Sequence, residues 1–248
     1  MKFLMGGKLG DFVHSLFAVK NLCELHNESA DLYMYDIGWE FGIENTYQEL
    51  YDIIMQQPYI KSFGIYDNYV KHEVPAEYID LGRYIDSELL YQTCWSNIYQ
   101  NMFKFTINGD YKWLTYNKLD TILQNKILIQ RKANVMRNPD FPYEQLIDHY
   151  GKDNVLFISS TINDYNEFPY KHLVEFYKVT TLDEWFTSIN SCNMLIANLS
   201  APAAIGHALD KKRIIELPNQ IDFMHCIGEE RYSDNVYWFL NENTHNLV

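Results

Sequence analysis

Short apolar runs alternate with amphipathic stretches along the chain, and this alternation predicts strands separated by helices. In the first helical stretch, Phe12, Leu16, Val19 and Leu22 recur at the spacing of one helix face. The predicted strands of the first half are residues 1–5, 31–35, 60–66 and 78–81, and its predicted helices follow the turn at 6–11 and cover 46–55 and 88–103. Strands alternating with helices are typical of parallel sheets covered by helices.

The same pattern restarts after a polar stretch at residues 108–125. Its predicted strands are 126–130, 155–159, 194–197 and 213–217, and its predicted helices are 142–150, 182–191 and one that opens at 200–202. The repetition predicts an α/β protein of two Rossmann-like domains facing across a cleft. The polar stretch places their boundary between residues 1–122 and 123–248.

Composition narrows the classes of partner. The 248 residues include 47% hydrophobic positions, which is enough for a substantial core, and the net charge of −13 argues against nucleic acid and anionic membranes as partners. No apolar run approaches the ~20 residues that span a bilayer. The four cysteines (Cys23, Cys94, Cys192 and Cys226) are far apart and have no metal-ligand spacing, so they are expected to be reduced thiols in a cytoplasmic protein.

Residues 193–217 carry the strongest functional signal. A buried strand is followed by Ser200-Ala201-Pro202, where a hydroxyl residue with proline two positions later is typical of a helix start. The free N–H groups of such a start attract anions and suit a phosphate. In open α/β sheets, ligands bind beyond the carboxyl ends of strands, where this turn is predicted to lie.

A glycine turn follows the first predicted strand. Gly6, Gly7 and Gly10 permit a sharp turn and close approach of a ligand, although the pattern is neither GxGxxG nor a P-loop. Asp11 has two interpretations, an N-cap of the next helix or a carboxylate acting as general base. Lys8 is either a contact for an anionic acceptor or solvated.

Basic residues give a second indication of an anion site. Arg131, Lys132 and Arg137 come just after a predicted strand, where arginine suits a diphosphate. The alternative is ordinary surface charge, which is the favoured interpretation for Lys211 and Lys212.

Two segments resemble a known family. Gly6 to Leu16 (GGKLGDFVHSL) resembles the opening of the ADP-heptose:lipopolysaccharide heptosyltransferases, in glycosyltransferase family 9. Thr181 to Lys211 resembles their helix, strand and donor-binding loop. The resemblance implies the GT-B fold, with the donor sugar nucleotide on the C-terminal domain and the acceptor on the N-terminal one. It also implies a terminal helix that crosses back, for which residues 231–240 are the candidate.

The resemblance assigns roles to individual positions. Gly10 and Asp11 match the family's Gly-Asp, whose carboxylate is the expected catalytic base. Asn198, Ser200 and Pro202 match the donor loop, whereas Leu199, Ala201 and Ala204 replace the Asp, Gly and His that the family usually has there. The diphosphate contacts would then depend on Ser200 and backbone amides. His14 either contacts the acceptor or packs, and His207 is expected to be a packed or surface histidine.

These observations together predict a cytoplasmic glycosyltransferase of glycan biosynthesis. It would transfer a sugar from a nucleotide-diphosphate donor to a hydroxyl acceptor with inversion. It would use no metal or other cofactor, because no Asp-x-Asp pair stands at a strand end. Two alternatives stay open. One is an inactive GT-B-like binding protein, indicated by the altered loop and short chain. The other is an epimerase or dehydrogenase, disfavoured by the absence of GxGxxG. The donor sugar, the base, the acceptor and the oligomeric state are left open.

Overall fold

A computed structural model describes residues 1–67, 69–71, 73–107, 111–135, 137–218 and 233–239. The strands are β1 Lys2–Met5, β2 Ala30–Met34, β3 Ile60–Ile65, β4 Tyr78–Asp80, β5 Ile127–Gln130, β6 Val155–Ser159, β7 Glu175–Lys178, β8 Met194–Asn198, β9 Arg213–Glu216 and β10 Val236–Phe239. The helices are α1 Leu9–His26, α2 Ile43–Met55, α3 Trp95–Phe103, α4 Tyr143–Tyr150, α5 Ile162–Asn166, α6 Leu182–Ser191 and α7 Ala201–Ala208.

The described strands form two parallel sheets. One has the order β3-β2-β1-β4, and the other has the order β10-β9-β8-β5-β6-β7. Every residue of β5, β6, β8 and β9 is buried, as expected for parallel strands covered on both faces. The prediction of an α/β protein with parallel sheets is confirmed.

The order of the strands shows where each sheet changes direction. In the first sheet the chain moves outward from β1 through β2 to β3, and β4 then lies on the other side of β1. In the second sheet, β5 leads outward to β7, while β8 begins a run in the opposite direction. Ligands of open α/β sheets bind at such switch points, beyond the carboxyl ends of the strands. A ligand site is therefore expected at the segments that follow β1, β4, β5 and β8.

Several predicted elements differ from the structure. The helix predicted from residue 88 begins only at Trp95, because a 3-10 helix at Leu81–Asp86 and turns precede it. The strand β7 was not predicted, since its burial is incomplete and its four residues include no continuous apolar run. Within the candidate terminal helix at 231–240, residues Val236–Phe239 are instead a strand paired with β9. β-Branched and aromatic residues favour a strand there, and residues 231, 232 and 240 lie outside the described residues.

Two of the composition-based expectations concern the cysteines and membrane-spanning segments. Cys23, Cys94 and Cys192 are buried and form no disulfide with one another, and Cys226 lies outside the described residues. Within the described ranges, no helix is both long enough and apolar enough to cross a membrane.

Tyr35 fills the space above two glycines at the end of the first sheet. A Cβ added to Gly6 would lie 2.1 Å from Cε2 of Tyr35, and one added to Gly82 would lie 2.0 Å from its hydroxyl oxygen. Gly7 has φ of +117° and donates its N–H to the carbonyl of Ile37 at 2.5 Å. The glycine turn after β1 is thus shaped by the ring of Tyr35, which only residues without a Cβ can accommodate.

This packing predicts that Tyr35→Phe restores the stability lost by substitution of Gly82 but not the stability lost by substitution of Gly6. Gly82→Ala is expected to cost about 1–3 kcal/mol in the free energy of unfolding, as overpacking does. Tyr35→Phe removes the clashing oxygen, so the double variant Gly82→Ala with Tyr35→Phe should recover most of that loss. The same Tyr35→Phe change should not rescue Gly6→Ala, whose clash is with ring carbons. Urea denaturation of the five variants measures the difference, and equal rescue of both glycines would contradict the packing.

Candidate active site

The starts of α1 and α7 lie side by side. A Cβ on Gly10 would be 3.6 Å from Cα of Ala201 and 3.9 Å from Cβ of Ala204. One helical turn or more further along, the rings of His14 and His207 have centroids 5.4 Å apart, so the two helices run in the same direction. α1 follows β1 and α7 follows β8, the strands at the two switch points. Two positively polarised helix ends therefore point to one region.

The start of α7 matches the prediction made from its sequence. Ser200 is the N-cap, with φ of −157° and ψ of 174°, and proline lies in the first turn. The Ser200 hydroxyl does not cap the helix, because it donates to Oε1 of Gln130 at 2.7 Å. In an α-helix the N–H groups of Ala201 and Ala203 have no intrahelical acceptor, so they are available to a ligand.

Asn198 joins the two neighbouring loops of the second sheet. Its side chain is fully buried and both donates to the carbonyl and accepts from the N–H of Lys132, each at 3.2 Å. This pair of hydrogen bonds fixes the segment after β5 against the segment after β8. The side chain of a donor-loop residue thus has a structural partner that the sequence did not identify.

Arg131 is a buried ion-pair residue. It is 6% exposed, and its guanidinium contacts the fully buried carboxylate of Glu216, with Nε to Oε2 at 3.0 Å and Nη2 to Oε1 at 3.1 Å. Glu216 also accepts from the Tyr143 hydroxyl and from the backbone N–H of Asn138, both at 2.7 Å. Solvated surface charge is therefore the wrong interpretation of Arg131, while its binding to a diphosphate stays a prediction.

The other two cations of this loop have exposed acidic partners. Nζ of Lys132 lies 3.3 Å from the carboxylate of Glu40, which belongs to the first half of the chain. Nη2 of Arg137 lies 2.6 Å from the carboxylate of Glu167 and also bonds to the carbonyl of Ala133. Both carboxylates are about half or more exposed, so these pairs are weak and an incoming phosphate can compete for the cations.

A cavity of about 400 Å³ opens beside the same loop. Its lining residues include two arginines and three aromatic rings, and they are Arg131, Arg137, Asn138, Pro139, Phe141, Tyr143, Pro169 and Tyr170. A larger cavity of about 480 Å³ lies near the far end of α1, beside Cys23 and Trp113. That larger cavity lies at the C-terminal end of α1 and Asp11 lies at its N-terminal end, so most of the helix length, at 1.5 Å per residue, separates the two. The smaller cavity is the one that adjoins the switch point.

Asp11 lies in the first turn of α1 and is not its N-cap. The helix begins at Leu9, and Lys8 is the N-cap, so this part of the prediction was wrong by three positions. The side chain of Tyr84 and the backbone N–H of Lys8 interact with the Asp11 carboxylate and lower its pKa, although less than burial raises it. Burial raises the pKa of Asp11 above its usual range. A carboxylate with a raised pKa at the end of a parallel sheet is suited to accept a proton.

Tyr84 is the residue that sequence reasoning missed. It belongs to the 3-10 helix after β4, a strand adjacent to β1, and burial raises its pKa. Asp80 begins this segment, accepting from the N–H of Gly82 at 3.0 Å and from the hydroxyl of Tyr69 at 3.1 Å. The pattern Asp-Leu-Gly after a short strand was the available signal, because aspartate and glycine there are typical of a turn.

The histidines and Lys8 have contrasting surroundings. His14 stacks on Trp95 with ring centroids 5.4 Å apart, and His207 is 2% exposed with its ring nitrogen 2.8 Å from the hydroxyl of Tyr111. Burial lowers the pKa of His207, so the ring is neutral at pH 7. Both rings pack against neighbouring aromatic side chains, the contact of His14 with an acceptor stays a prediction, and Lys8 is exposed. Within the described ranges, no group of three or more His, Cys, Asp or Glu is arranged to hold a metal ion.

The comparisons with known proteins identify the fold. No protein-family model and no curated protein sequence matches the chain. Among solved structures, it is similar to the heptosyltransferase WaaC of E. coli with ADP, at 12% identity and a TM-score of 0.65, covering 96% of this chain and 92% of that one. It is also similar to the family 9 glycosyltransferase of Veillonella parvula DSM 2008, at 14% identity and a TM-score of 0.55, covering 86% and 79%.

A third similar structure is TibC of enterotoxigenic E. coli, an iron-containing dodecameric glycosyltransferase. The match has 14% identity and a TM-score of 0.60, covering 86% of this chain and 56% of TibC. At these identities the likeness establishes the fold and leaves the chemistry open. The resemblance predicted from residues 6–16 and 181–211 is confirmed, since the chain has the fold of the family 9 heptosyltransferases.

Proposed function

We propose that this protein is an inverting, metal-independent glycosyltransferase that moves a sugar from a nucleotide-diphosphate donor to a hydroxyl acceptor. Residues 1–122 would form the acceptor-side domain and residues 123–248 the donor-side domain, facing across a cleft. The observation that carries the proposal is the contact between the starts of α1 and α7, where a Cβ on Gly10, the residue before Asp11, would lie 3.6 Å from Cα of Ala201. A proton acceptor and an anion-binding helix end are then within one site.

The donor diphosphate is assigned to the start of α7. The N–H groups of Ala201 and Ala203 and the dipole of α7 would bind its oxygens, and Lys132 and Arg137 would supply positive charge. Ala204 is buried, and a Cβ added to Gly10 would lie 3.9 Å from its Cβ, so the histidine that the family usually has here would have to displace neighbouring groups. The nucleoside is assigned to the cavity beside Tyr143 and Tyr170.

The reaction would proceed by one in-line displacement. Asp11 accepts the proton of the acceptor hydroxyl as that oxygen bonds to the anomeric carbon, and the carbon–oxygen bond to the diphosphate breaks with its electron pair leaving on the diphosphate. The start of α7 stabilises the growing negative charge, and each lost donor should cost ~2–4 kcal/mol of transition-state stabilisation. Exclusion of water from the site would limit hydrolysis of the donor.

Calorimetric titration in the presence of EDTA separates the candidate functions. UDP-, GDP-, ADP- and CMP-linked sugars are titrated in turn, followed by NAD and NADP. Binding of a sugar nucleotide with slow release of its nucleoside diphosphate supports the proposal. Failure of every nucleotide to bind would favour a binding protein without catalysis, and preferential binding of NAD or NADP would favour an epimerase or dehydrogenase.

The contact between Tyr84 and Asp11 predicts a shifted pH profile. Activity requires ionised Asp11, so it should fall as the pH drops through the pKa of this carboxyl, which burial raises. The Tyr84 hydrogen bond lowers that pKa, so Tyr84→Phe should move the acidic limb of the kcat profile to higher pH. Tyr33→Phe, which alters a tyrosine on β2 outside the site, is the control. An unchanged limb in Tyr84→Phe would show that this hydrogen bond does not act on the base.

A further inference from the structure

Three aromatic side chains form a group that reaches the proposed base through Tyr84. Tyr84 contacts Asp11, and the rings of Tyr84 and Trp95 meet edge to face with centroids 4.6 Å apart. Tyr91 is close enough to Tyr84 to interact with its hydroxyl electrostatically. We call Tyr84, Tyr91 and Trp95 the aromatic wall. It follows β4, the strand adjacent to β1, and Tyr84 joins it to Asp11, so it borders the position where an acceptor would approach that carboxylate.

The outer part of the wall is open to solvent. Tyr91 is 56% exposed, and Trp95 is partly exposed although it opens a helix that packs on α1. Tyr91 also has φ of +62°, a backbone conformation that residues other than glycine seldom adopt. A large ring held exposed on an unfavourable backbone does little for the core, and such outliers concentrate at ligand sites.

The segment that carries the aromatic wall is acidic, which disfavours an anionic acceptor. Residues 66–95 contain six carboxylates, namely Asp67, Glu73, Glu77, Asp80, Asp86 and Glu88, and only two lysines or arginines, Lys71 and Arg83. Both cations lie near the carboxylate of Asp86, at 3.6 and 3.8 Å. The segment that carries the wall thus has four more carboxylates than cations, which disfavours a phosphorylated or carboxylated acceptor, and Lys8 is a further cation that acts on Asp11.

We propose that the aromatic wall is the acceptor subsite and that the acceptor is an uncharged sugar residue. This inference rests on the proposed function. The apolar C–H face of a pyranose packs on exposed indole and phenol rings, while its hydroxyls bond to phenol oxygens and carboxylates. One such hydroxyl would reach Asp11, which takes its proton as the new glycosidic bond forms and the donor's bond to diphosphate breaks.

Saturation-transfer NMR tests the class of ligand directly. The probes are methyl glycosides of glucose, galactose and N-acetylglucosamine as uncharged sugars, with glucose 6-phosphate and N-acetylneuraminic acid as anionic ones. The full-length protein is expected to bind at least one uncharged glycoside and to bind the anionic sugars at least 10-fold more weakly. Preference for the anionic sugars, or binding of neither class, would overturn the proposal.

Matched variants locate the binding. Tyr91→Ala and Trp95→Phe should weaken binding of the uncharged glycoside, by 10-fold or more for Tyr91→Ala. Tyr51→Ala removes a similarly exposed tyrosine from α2 and should leave binding unchanged. Undiminished binding by Tyr91→Ala would place the sugar elsewhere. Calorimetry of the unchanged protein with sugar nucleotides reports on the donor site separately. If the protein binds the uncharged glycoside but no sugar nucleotide, the proposed function is contradicted and the sugar subsite is not.

Discussion

Replacement of Asp11 by Asn is expected to reduce kcat by about 10²–10⁴-fold while the donor dissociation constant changes by less than a few fold. The amide has nearly the shape of the carboxylate and still offers an oxygen to the Lys8 N–H. It cannot accept a proton at neutral pH. The loss should therefore appear in the chemical step, measured as release of nucleoside diphosphate in the presence of acceptor.

Two measurements exclude a folding explanation for this loss. The thermal midpoint of Asp11→Asn should stay close to that of the unchanged protein, since the variant removes a partly buried charge. Glu44→Gln alters an acidic residue in the first turn of α2 and should retain full turnover. Turnover by Asp11→Asn within a few fold of the unchanged protein would remove Asp11 from the role of base.

Breaking the ion pair of Arg131 and Glu216 is expected to have the largest effect on stability. Among the described residues, Arg131→Met leaves the fully buried Glu216 carboxylate with the Tyr143 hydroxyl and the Asn138 N–H as its partners. We expect Arg131→Met to lower the free energy of unfolding by about 3–5 kcal/mol, which is the usual cost of removing one member of a buried ion pair. The double variant Arg131→Met with Glu216→Met should lose less than Arg131→Met alone, because no buried charge is left unpaired.

An exposed pair provides the control for this measurement. Lys118 and Asp183 are 2.6 Å apart but 63% and 44% exposed, so Lys118→Met should cost less than about 1 kcal/mol. Chemical denaturation of all four proteins gives the comparison. Equal costs for Arg131→Met and Lys118→Met would contradict a structural role for Arg131. A donor affinity that falls 10-fold or more in folded Arg131→Met would instead assign the guanidinium to the diphosphate.

The elements that the sequence predicted well are those with local signals. The apolar runs of β6 and β8 and the Ser-Ala-Pro start of α7 need no knowledge of distant residues, and each appears where its pattern placed it. The edge strand β7 has no continuous apolar run, so its four residues gave no signal. The bounds of α1 shifted because Lys8 has the extended backbone of an N-cap without a capping side chain.

The parts of the site that could not be predicted depend on distant partners. Arg131 and Glu216 are 85 residues apart, and nothing near either residue indicates that the guanidinium is already paired. The contact of Tyr84 with Asp11 depends on β4 lying beside β1, which is a property of the sheet order. Sequence patterns therefore identified the segments after β1, β5 and β8 as candidates, and only the fold adds the segment after β4 and shows which side chains of these segments are paired with each other.

The central claim is that the start of α7 binds a diphosphate, and a pair of variants at Ser200 tests it most directly. Aspartate and asparagine are both favoured at an N-cap, so Ser200→Asp and Ser200→Asn should fold alike. Only Ser200→Asp adds a negative charge where the diphosphate would lie. Calorimetric titration with the preferred sugar nucleotide should give at least 10-fold weaker binding for Ser200→Asp and near-normal binding for Ser200→Asn. Equal affinity of the two variants would contradict the assignment of this helix start to the donor.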